Sequence, residues 1–107
     1  MPVTIEQSEG VITAYLSGEI DHHNARPIRE EIDRAAELTL PQMLVLDFRD
    51  VTFMDSSGIG LVMGRYKLMQ QIGGELHVTA TSPQITRVMK LAGMDRLAVM
   101  DKGREKG

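Results

Sequence analysis

The chain has 107 residues, a formal net charge of −3 and 42% hydrophobic residues, so it can form one core but not a two-domain enzyme with an interdomain cleft. Its lysines and arginines are scattered, which argues against direct binding to nucleic acid or to an anionic membrane. The absence of cysteine excludes disulfides, thiol catalysis and thiolate metal sites.

The sequence carries no recognisable targeting signal. Residues 1–4 lack a basic start followed by an apolar run, and no apolar stretch approaches the roughly 20 residues that cross a membrane. We therefore expect a cytoplasmic protein.

The first part of the chain predicts a β-hairpin followed by a helix. Alternating apolar residues, a turn at residues 8–10 and a β-rich run over residues 11–17 indicate two paired strands, with a break at residues 18–21. Apolar residues then recur at helical spacing over residues 24–38, with Pro27 in the expected first turn.

A second helix is expected in the middle of the chain, after a buried strand. Residues 43–48 form an apolar run too short for a helix, and a turn leads from it to a second apolar segment, residues 51–54. Asp55 or Ser56 then caps a helix that reaches Ile72 and ends at two glycines.

The last part predicts a strand, a helix and a short strand. Apolar residues alternate over residues 76–80, and Ser82 and Pro83 are a helix cap and a proline at the first helical position. Gly93 closes this helix, and residues 97–100 form the final strand.

This order of elements indicates an α/β fold. We expect a mixed β-sheet of about five strands, with an N-terminal hairpin and then parallel crossovers, covered by about three helices. The domain should span residues 1–100, and residues 101–107, which contain no apolar residue, should form a flexible tail.

The candidate site is the start of the central helix, where two serines follow an aspartate. Unpaired backbone N–H groups and the helix dipole favour negative charge at such a position. A serine hydroxyl there is well placed to receive a phosphate. The helix-end argument alone does not choose between Ser56 and Ser57.

Two sides of the central helix have different compositions. Projection at about 100° per residue gives a core stripe of Ile59, Val62, Met63, Tyr66 and Met69. The opposite side is a strip of small and apolar residues: Ser57, Gly60, Leu61, Gly64 and Leu68. Because each helical glycine costs about 1 kcal/mol relative to alanine, close approach of a partner would explain this docking strip. Burial of the helix on both sides is the alternative.

Other kinds of site fit these residues less well. Gly58, Gly60 and Gly64 are superficially similar to a dinucleotide-binding turn, but the third glycine is one place late and no acid closes a neighbouring strand. A hydrolase nucleophile elbow requires a glycine where Met54 stands.

The histidines suggest neither a metal site nor a catalytic triad. His22 and His23 are adjacent and His77 is far along the chain, whereas a metal needs three or four converging ligands. Ser56, either of the paired histidines and Asp21 lack any visible substrate pocket or oxyanion loop. We predict no metal, no cofactor and no catalytic residue.

With these residues in place, the chain resembles the STAS domain family, and within it the bacterial anti-sigma factor antagonists. The resemblance covers nearly the whole domain and rests on three blocks in register: residues 18–23, residues 53–60, and residues 64–67 with residues 71–75. The family often carries a further helix after its last strand, and residues 101–107 have no amphipathic pattern that predicts one.

The resemblance implies a regulatory protein rather than an enzyme. In that family, the first serine after the aspartate is phosphorylated by an anti-sigma factor that is also an ATP-dependent serine kinase, and a metal-dependent phosphatase removes the phosphate. Carried over, the acceptor is Ser56. The unphosphorylated protein would bind the anti-sigma factor and release a sigma factor, regulating transcription in sporulation or in a stress-response circuit. A small nucleotide-binding domain is the remaining alternative.

The surface expected to contact the partner combines the phosphorylation site with the docking strip. Asp55 would shape the surroundings of the acceptor, and Ser57 would be a neighbouring hydroxyl. The predicted partner-binding residues are Asp21, Asp55, Ser57, Gly58, Gly60, Leu61, Gly64 and Leu68.

Overall fold

A computed structural model describes residues 2–100 of the chain. The strands are β1 (Val3–Ser8), β2 (Val11–Ile20), β3 (Met43–Met54), β4 (Glu75–Thr79) and β5 (Val99–Met100). The helices are α1 (His22–Thr39), α2 (Ser56–Ile72) and α3 (Pro83–Leu91), and a 3-10 helix, Met94–Arg96, precedes β5. The predicted α/β fold is confirmed.

The five strands form one sheet in the order β1-β2-β3-β4-β5. β1 and β2 pair antiparallel as the predicted hairpin, and every later pair is parallel. A helix connects each parallel pair, and α1 and α2 pack against each other as well as against the sheet. The sheet is therefore mixed, as expected for a hairpin followed by parallel crossovers.

The core lies between the helices and one face of the sheet. Alternate strand residues such as Ala14, Leu46 and Val78 are paired in register and buried. The residues between them face the other side, where Thr13, Val45 and His77 are half-buried. A single apolar cluster joins the buried strand residues to the buried faces of all three α-helices.

The first crossover differs from the prediction at two points. β2 continues through the expected break to Ile20, because its pairing with β3 persists across two register shifts, and Gly18 takes a φ of 78° at the second. α1 begins at His22 rather than Asn24, because Asp21 caps it. Pro27 consequently lies in the second turn of the helix, not in the first.

β3 is one continuous strand over Met43–Met54 rather than two segments joined by a turn. The carboxylate of Asp47 accepts a hydrogen bond of 2.8 Å from the backbone N–H of Arg49, which supports the strand where the turn was expected. β5 is shorter than predicted because the backbone N–H groups of Leu97 and Ala98 donate to the carbonyl of Met94 in the preceding 3-10 helix instead of joining the sheet. The tail predicted over residues 101–107 lies outside the described residues.

Candidate phosphorylation and partner-binding site

The strands β2 and β3 end side by side, and a helix follows each of them at once. Ile20 pairs with Met54 in the parallel ladder. The next residues, Asp21 and Asp55, are the N-caps of α1 and α2. The backbone N–H of Asp55 also donates to the carbonyl of Ile20 at 3.2 Å. The N-termini of the two helices are therefore neighbours at one edge of the sheet.

Both aspartate side chains accept hydrogen bonds from their own helix. The carboxylate of Asp21 accepts from the backbone N–H groups of His23 and Asn24, each at 3.0 Å. The carboxylate of Asp55 accepts from the backbone N–H of Ser57 at 2.8 Å. These bonds satisfy N–H groups that a helix start leaves unpaired. Of the two predicted caps of α2, Asp55 and Ser56, the structure selects Asp55.

The two serines of the site differ in exposure. Ser56 is the first residue of α2 and is exposed. Ser57 is half-buried, and its backbone N–H is already bonded to the carboxylate of Asp55. An external protein therefore reaches the side chain of Ser56 more easily than that of Ser57.

Gly58 packs against the strand ends. It is buried, and a Cβ at this position would collide with the side chain of Met54 and lie 3.5 Å from Cγ2 of Ile20. Within the domain, the lack of a side chain at Gly58 allows α2 to approach β2 and β3 closely. The predicted contact of Gly58 with a partner stays a prediction.

Within the docking strip, Leu61 is only 4% exposed and belongs to the core. Its contact with a partner stays a prediction. Leu68 is half-buried and packs against the core. The fully buried positions of α2 are Gly58, Leu61, Val62, Arg65 and Met69. The centre of this buried face lies about 80° around the helix axis from the centre of the predicted core stripe. The projection assigned Arg65 to neither side of the helix, whereas the structure buries it.

Arg65 is buried because it pairs with Asp33 of α1. Nε of Arg65 lies 2.9 Å from Oδ1 of Asp33, an ion-pair contact without hydrogen-bond alignment, and Nη1 donates to the carbonyl of Leu61 at 3.3 Å. Burial raises the pKa of Asp33 and lowers the pKa of Arg65, and the charge of each partner opposes the shift in the other. The pair fixes the position of α2 against α1.

Sequence reasoning missed this ion pair. Asp33 and Arg65 lie on different helices, so the spacing rules for charge pairs within one helix cannot find them. The available signal was the arginine itself, which stands among apolar residues on α2.

A groove with a volume of about 420 Å³ lies between the N-terminal halves of α1 and α2. Its lining residues are His22, Ala25, Arg26 and Arg29 from α1 and Ser57, Gly60, Leu61, Gly64 and Arg65 from α2. Four residues of the docking strip therefore line this groove: Ser57, Gly60, Leu61 and Gly64. Leu61 contributes little surface to it because its side chain is only 4% exposed. The groove begins one residue after Ser56.

The histidines do not form a metal site in the part of the chain that the structure describes. No group of three potential His, Cys, Asp or Glu ligands converges there. His22 and His23 stack at the start of α1 with ring centroids 4.1 Å apart, whereas His77 contacts Glu75 on β4. In addition, none of the helices within residues 2–100 is long and apolar enough to span a membrane.

A family model describing the STAS domain matches residues 2–105. The chain belongs to the STAS domain family. This STAS domain is 36% identical over 97 residues to the anti-sigma F factor antagonist of Paenibacillus polymyxa, covering 91% of this chain and 83% of that protein. It is 32% identical over 92 residues to the anti-sigma-B factor antagonist of Bacillus subtilis, covering 86% and 83% respectively.

Solved structures give the same fold. The STAS domain matches the anti-sigma factor antagonist SpoIIAA in its unphosphorylated form with a TM-score of 0.81 at 28% identity, covering 96% of this chain and 90% of that one. The phosphorylated form of Bacillus SpoIIAA gives a TM-score of 0.74 at 28% identity, covering 96% and 94%.

Replacing Arg65 should destabilise the fold more than replacing an exposed arginine. Arg65→Ala leaves Asp33 without its partner, and we expect it to lower the free energy of unfolding by about 2–4 kcal/mol, measured by urea denaturation. The matched control is Arg34→Ala, because Arg34 forms an exposed pair with Glu31 and should change stability by less than about 0.5 kcal/mol. Equal effects of the two variants would contradict a structural role for the buried pair.

The cap at Asp21 should make stability depend on pH. Hydrogen bonding from the backbone of Asn24 lowers the pKa of Asp21 below its ordinary 3.8, so its contribution is present above that value and is lost as the pH falls through the folded-state pKa. Asp21→Asn, which also caps helices well, should match the wild type at pH 7 and show a smaller loss of stability between pH 4 and about pH 2. Thermal melts across this range measure the difference, and parallel curves would count against the cap.

Proposed function

We propose that this protein is an anti-sigma factor antagonist controlled by phosphorylation of Ser56. In the unphosphorylated state it binds an anti-sigma factor that is also an ATP-dependent serine kinase, and a sigma factor is released to RNA polymerase. A metal-dependent serine phosphatase restores this state after phosphorylation. The observation that carries the proposal is the exposed Ser56 at the start of α2, directly after the Asp55 cap, in a STAS domain.

The named relatives support antagonism but belong to two kinds of circuit. The sigma F antagonist of P. polymyxa is more similar to this chain than the sigma B antagonist of B. subtilis, with 36% against 32% identity. We therefore place the protein in a sigma F-type circuit, one that controls sporulation. A sigma B-type, stress-response circuit is the second candidate.

The proposed switch acts through charge at an exposed position. Phosphorylation adds about −1.5 to −2 charge at pH 7 and three acceptor oxygens. The dipole of α2 favours that charge at the helix start, whereas the neighbouring carboxylate of Asp55 opposes it. Because the side chain points away from the core, the phosphate should change the binding surface without rearranging the sheet or the helices. Similarity to SpoIIAA in both phosphorylation states supports this view.

In this proposal the chain is a substrate and a binding module, not an enzyme, and acts in the cytoplasm. The kinase supplies the nucleotide, the metal and the catalytic base for phosphoryl transfer. The antagonist supplies a hydroxyl nucleophile on an otherwise rigid helix end. Incubation with ATP alone should therefore leave the protein unmodified.

Ser56 should be the sole phosphate acceptor of the site. We expect Ser56→Ala to abolish the incorporation of labelled phosphate from ATP by the anti-sigma kinase of the protein's own organism. Ser57→Ala is the matched control and should remain a substrate, because its half-buried side chain is less accessible. Labelling of the Ser56 variant together with loss of labelling at the Ser57 variant would move the acceptor to Ser57.

A negative charge at residue 56 should weaken partner binding while leaving the fold intact. We expect Ser56→Asp to bind the anti-sigma factor at least about tenfold more weakly than Ser56→Ala, through like-charge and steric effects at the interface. Calorimetric titration gives the affinities, and circular dichroism melts check that both variants fold. Equal affinities would argue against charge as the basis of the switch.

A further inference from the structure

We propose that the groove between α1 and α2 receives an acidic segment of the partner anti-sigma factor. The inference rests on the proposed function and adds the chemistry that the partner must present. The groove opens beside Ser56, between the two helices whose N-termini the sheet places together. A carboxylate of the partner would enter it along α2.

The lining of the groove is basic. Its ionisable side chains are His22, Arg26, Arg29 and Arg65, and no carboxylate belongs to the lining. Arg26 pairs with Glu30 at 3.1 Å and Arg65 pairs with Asp33 at 2.9 Å. Among residues 2–100, no carboxylate lies at ion-pair distance from Arg29, although Arg29 interacts electrostatically with Asp33. Asp33 already contacts Arg65 and does not line the groove, so the lining itself carries positive charge and no negative charge.

The positive charge of Arg29 also acts on Arg65. Burial lowers the pKa of Arg65, the carboxylate of Asp33 opposes this, and the positive charge of Arg29 adds to the lowering, so the two cations that line the groove repel each other. An incoming carboxylate would relieve this repulsion and form charge-assisted hydrogen bonds with the guanidinium of Arg29. The site therefore fits an acidic ligand better than a neutral or basic one.

Two glycines of α2 border the groove, and packing within the domain does not require glycine at either position. A Cβ at Gly60 or at Gly64 would meet no atom within 4 Å, whereas one at Gly58 would collide with Met54. Glycine inside a helix is less favourable than alanine. Packing inside the domain therefore explains why residue 58 is a glycine. At residues 60 and 64, the close approach of an external occupant to the helix backbone explains the choice of glycine.

The position of the groove links it to the switch. Ser57, which lines the groove, directly follows Ser56. A phosphate on Ser56 would add negative charge at the mouth of a groove that attracts a negative segment. Repulsion between the phosphate and that segment would then weaken the complex without any change in the fold.

The test compares Arg29 with an arginine of the same helix outside the groove. Binding of the purified anti-sigma factor from the protein's own organism is measured by calorimetric titration for the wild type, Arg29→Glu and the control Arg34→Glu. We expect Arg29→Glu to weaken binding by about tenfold or more and Arg34→Glu to change it by less than about twofold. A third variant, Gly60→Ala combined with Gly64→Ala, adds two methyl groups to the α2 side of the groove and should also weaken binding while its thermal melt is unchanged or improved.

The possible results separate this inference from the proposed function. Tight binding by the wild type and by Arg29→Glu alike would overturn the groove and leave the antagonist function standing, whereas no binding by the wild type would overturn both. Equal losses in the two charge variants would indicate general electrostatic attraction and overturn the groove. Loss only in the glycine variant would indicate an apolar occupant and overturn the acidic one. Restored binding of Arg29→Glu by an Asp→Arg or Glu→Arg change in the partner would support the proposal directly.

A second copy of this chain is the competing occupant. Sedimentation equilibrium of the antagonist alone tests it. A monomer at all concentrations supports the partner segment. A dimer that Arg29→Glu abolishes and Arg34→Glu retains would assign the groove to self-association and overturn the proposal.

Discussion

The arrangement of the site depends on the parallel pairing of β2 and β3 at Ile20 and Met54. Parallel strands end at the same edge of a sheet, so the helices that follow them start at the same edge. Because each helix starts with an aspartate cap directly after its strand, Asp21 and Asp55 are brought together. The hydroxyl of Ser56 is exposed at this double helix start, on a backbone that the two strands hold in place.

The second constraint is the ion pair between the buried Arg65 and the half-buried Asp33. A buried guanidinium is unfavourable unless a carboxylate compensates it, so α2 must turn this residue toward α1. That rotation carries Leu61 into the core and leaves Gly60 and Gly64 beside the groove. The same contact that stabilises the helix pair therefore decides which side of α2 a partner can reach.

Neighbouring residues at the start of α2 have different roles: some hold the helix start in place, and one is accessible from outside. Asp55, Ser57 and Gly58 are committed to the fold through a cap, a backbone hydrogen bond and close packing. Ser56 stands among them with an exposed side chain. A modification of such a residue alters surface charge at little cost to the core, which is what the proposed phosphorylation switch requires.

The sequence by itself determined the order of the elements, the cap at Ser82, the glycine end of α2 and the segment that holds the candidate serines, because these follow from local periodicity and capping. It narrowed the cap of α2 to Asp55 or Ser56, and the structure selects Asp55. Only the tertiary structure decided the rotation of α2, the burial of Leu61 and the basic groove. The physical reason is that the charge of Arg65 is neutralised by a residue of another helix, and no local pattern contains that contact. The sequence therefore predicted the first residues of α2, whereas packing of α2 against α1 decided which side of the helix is accessible.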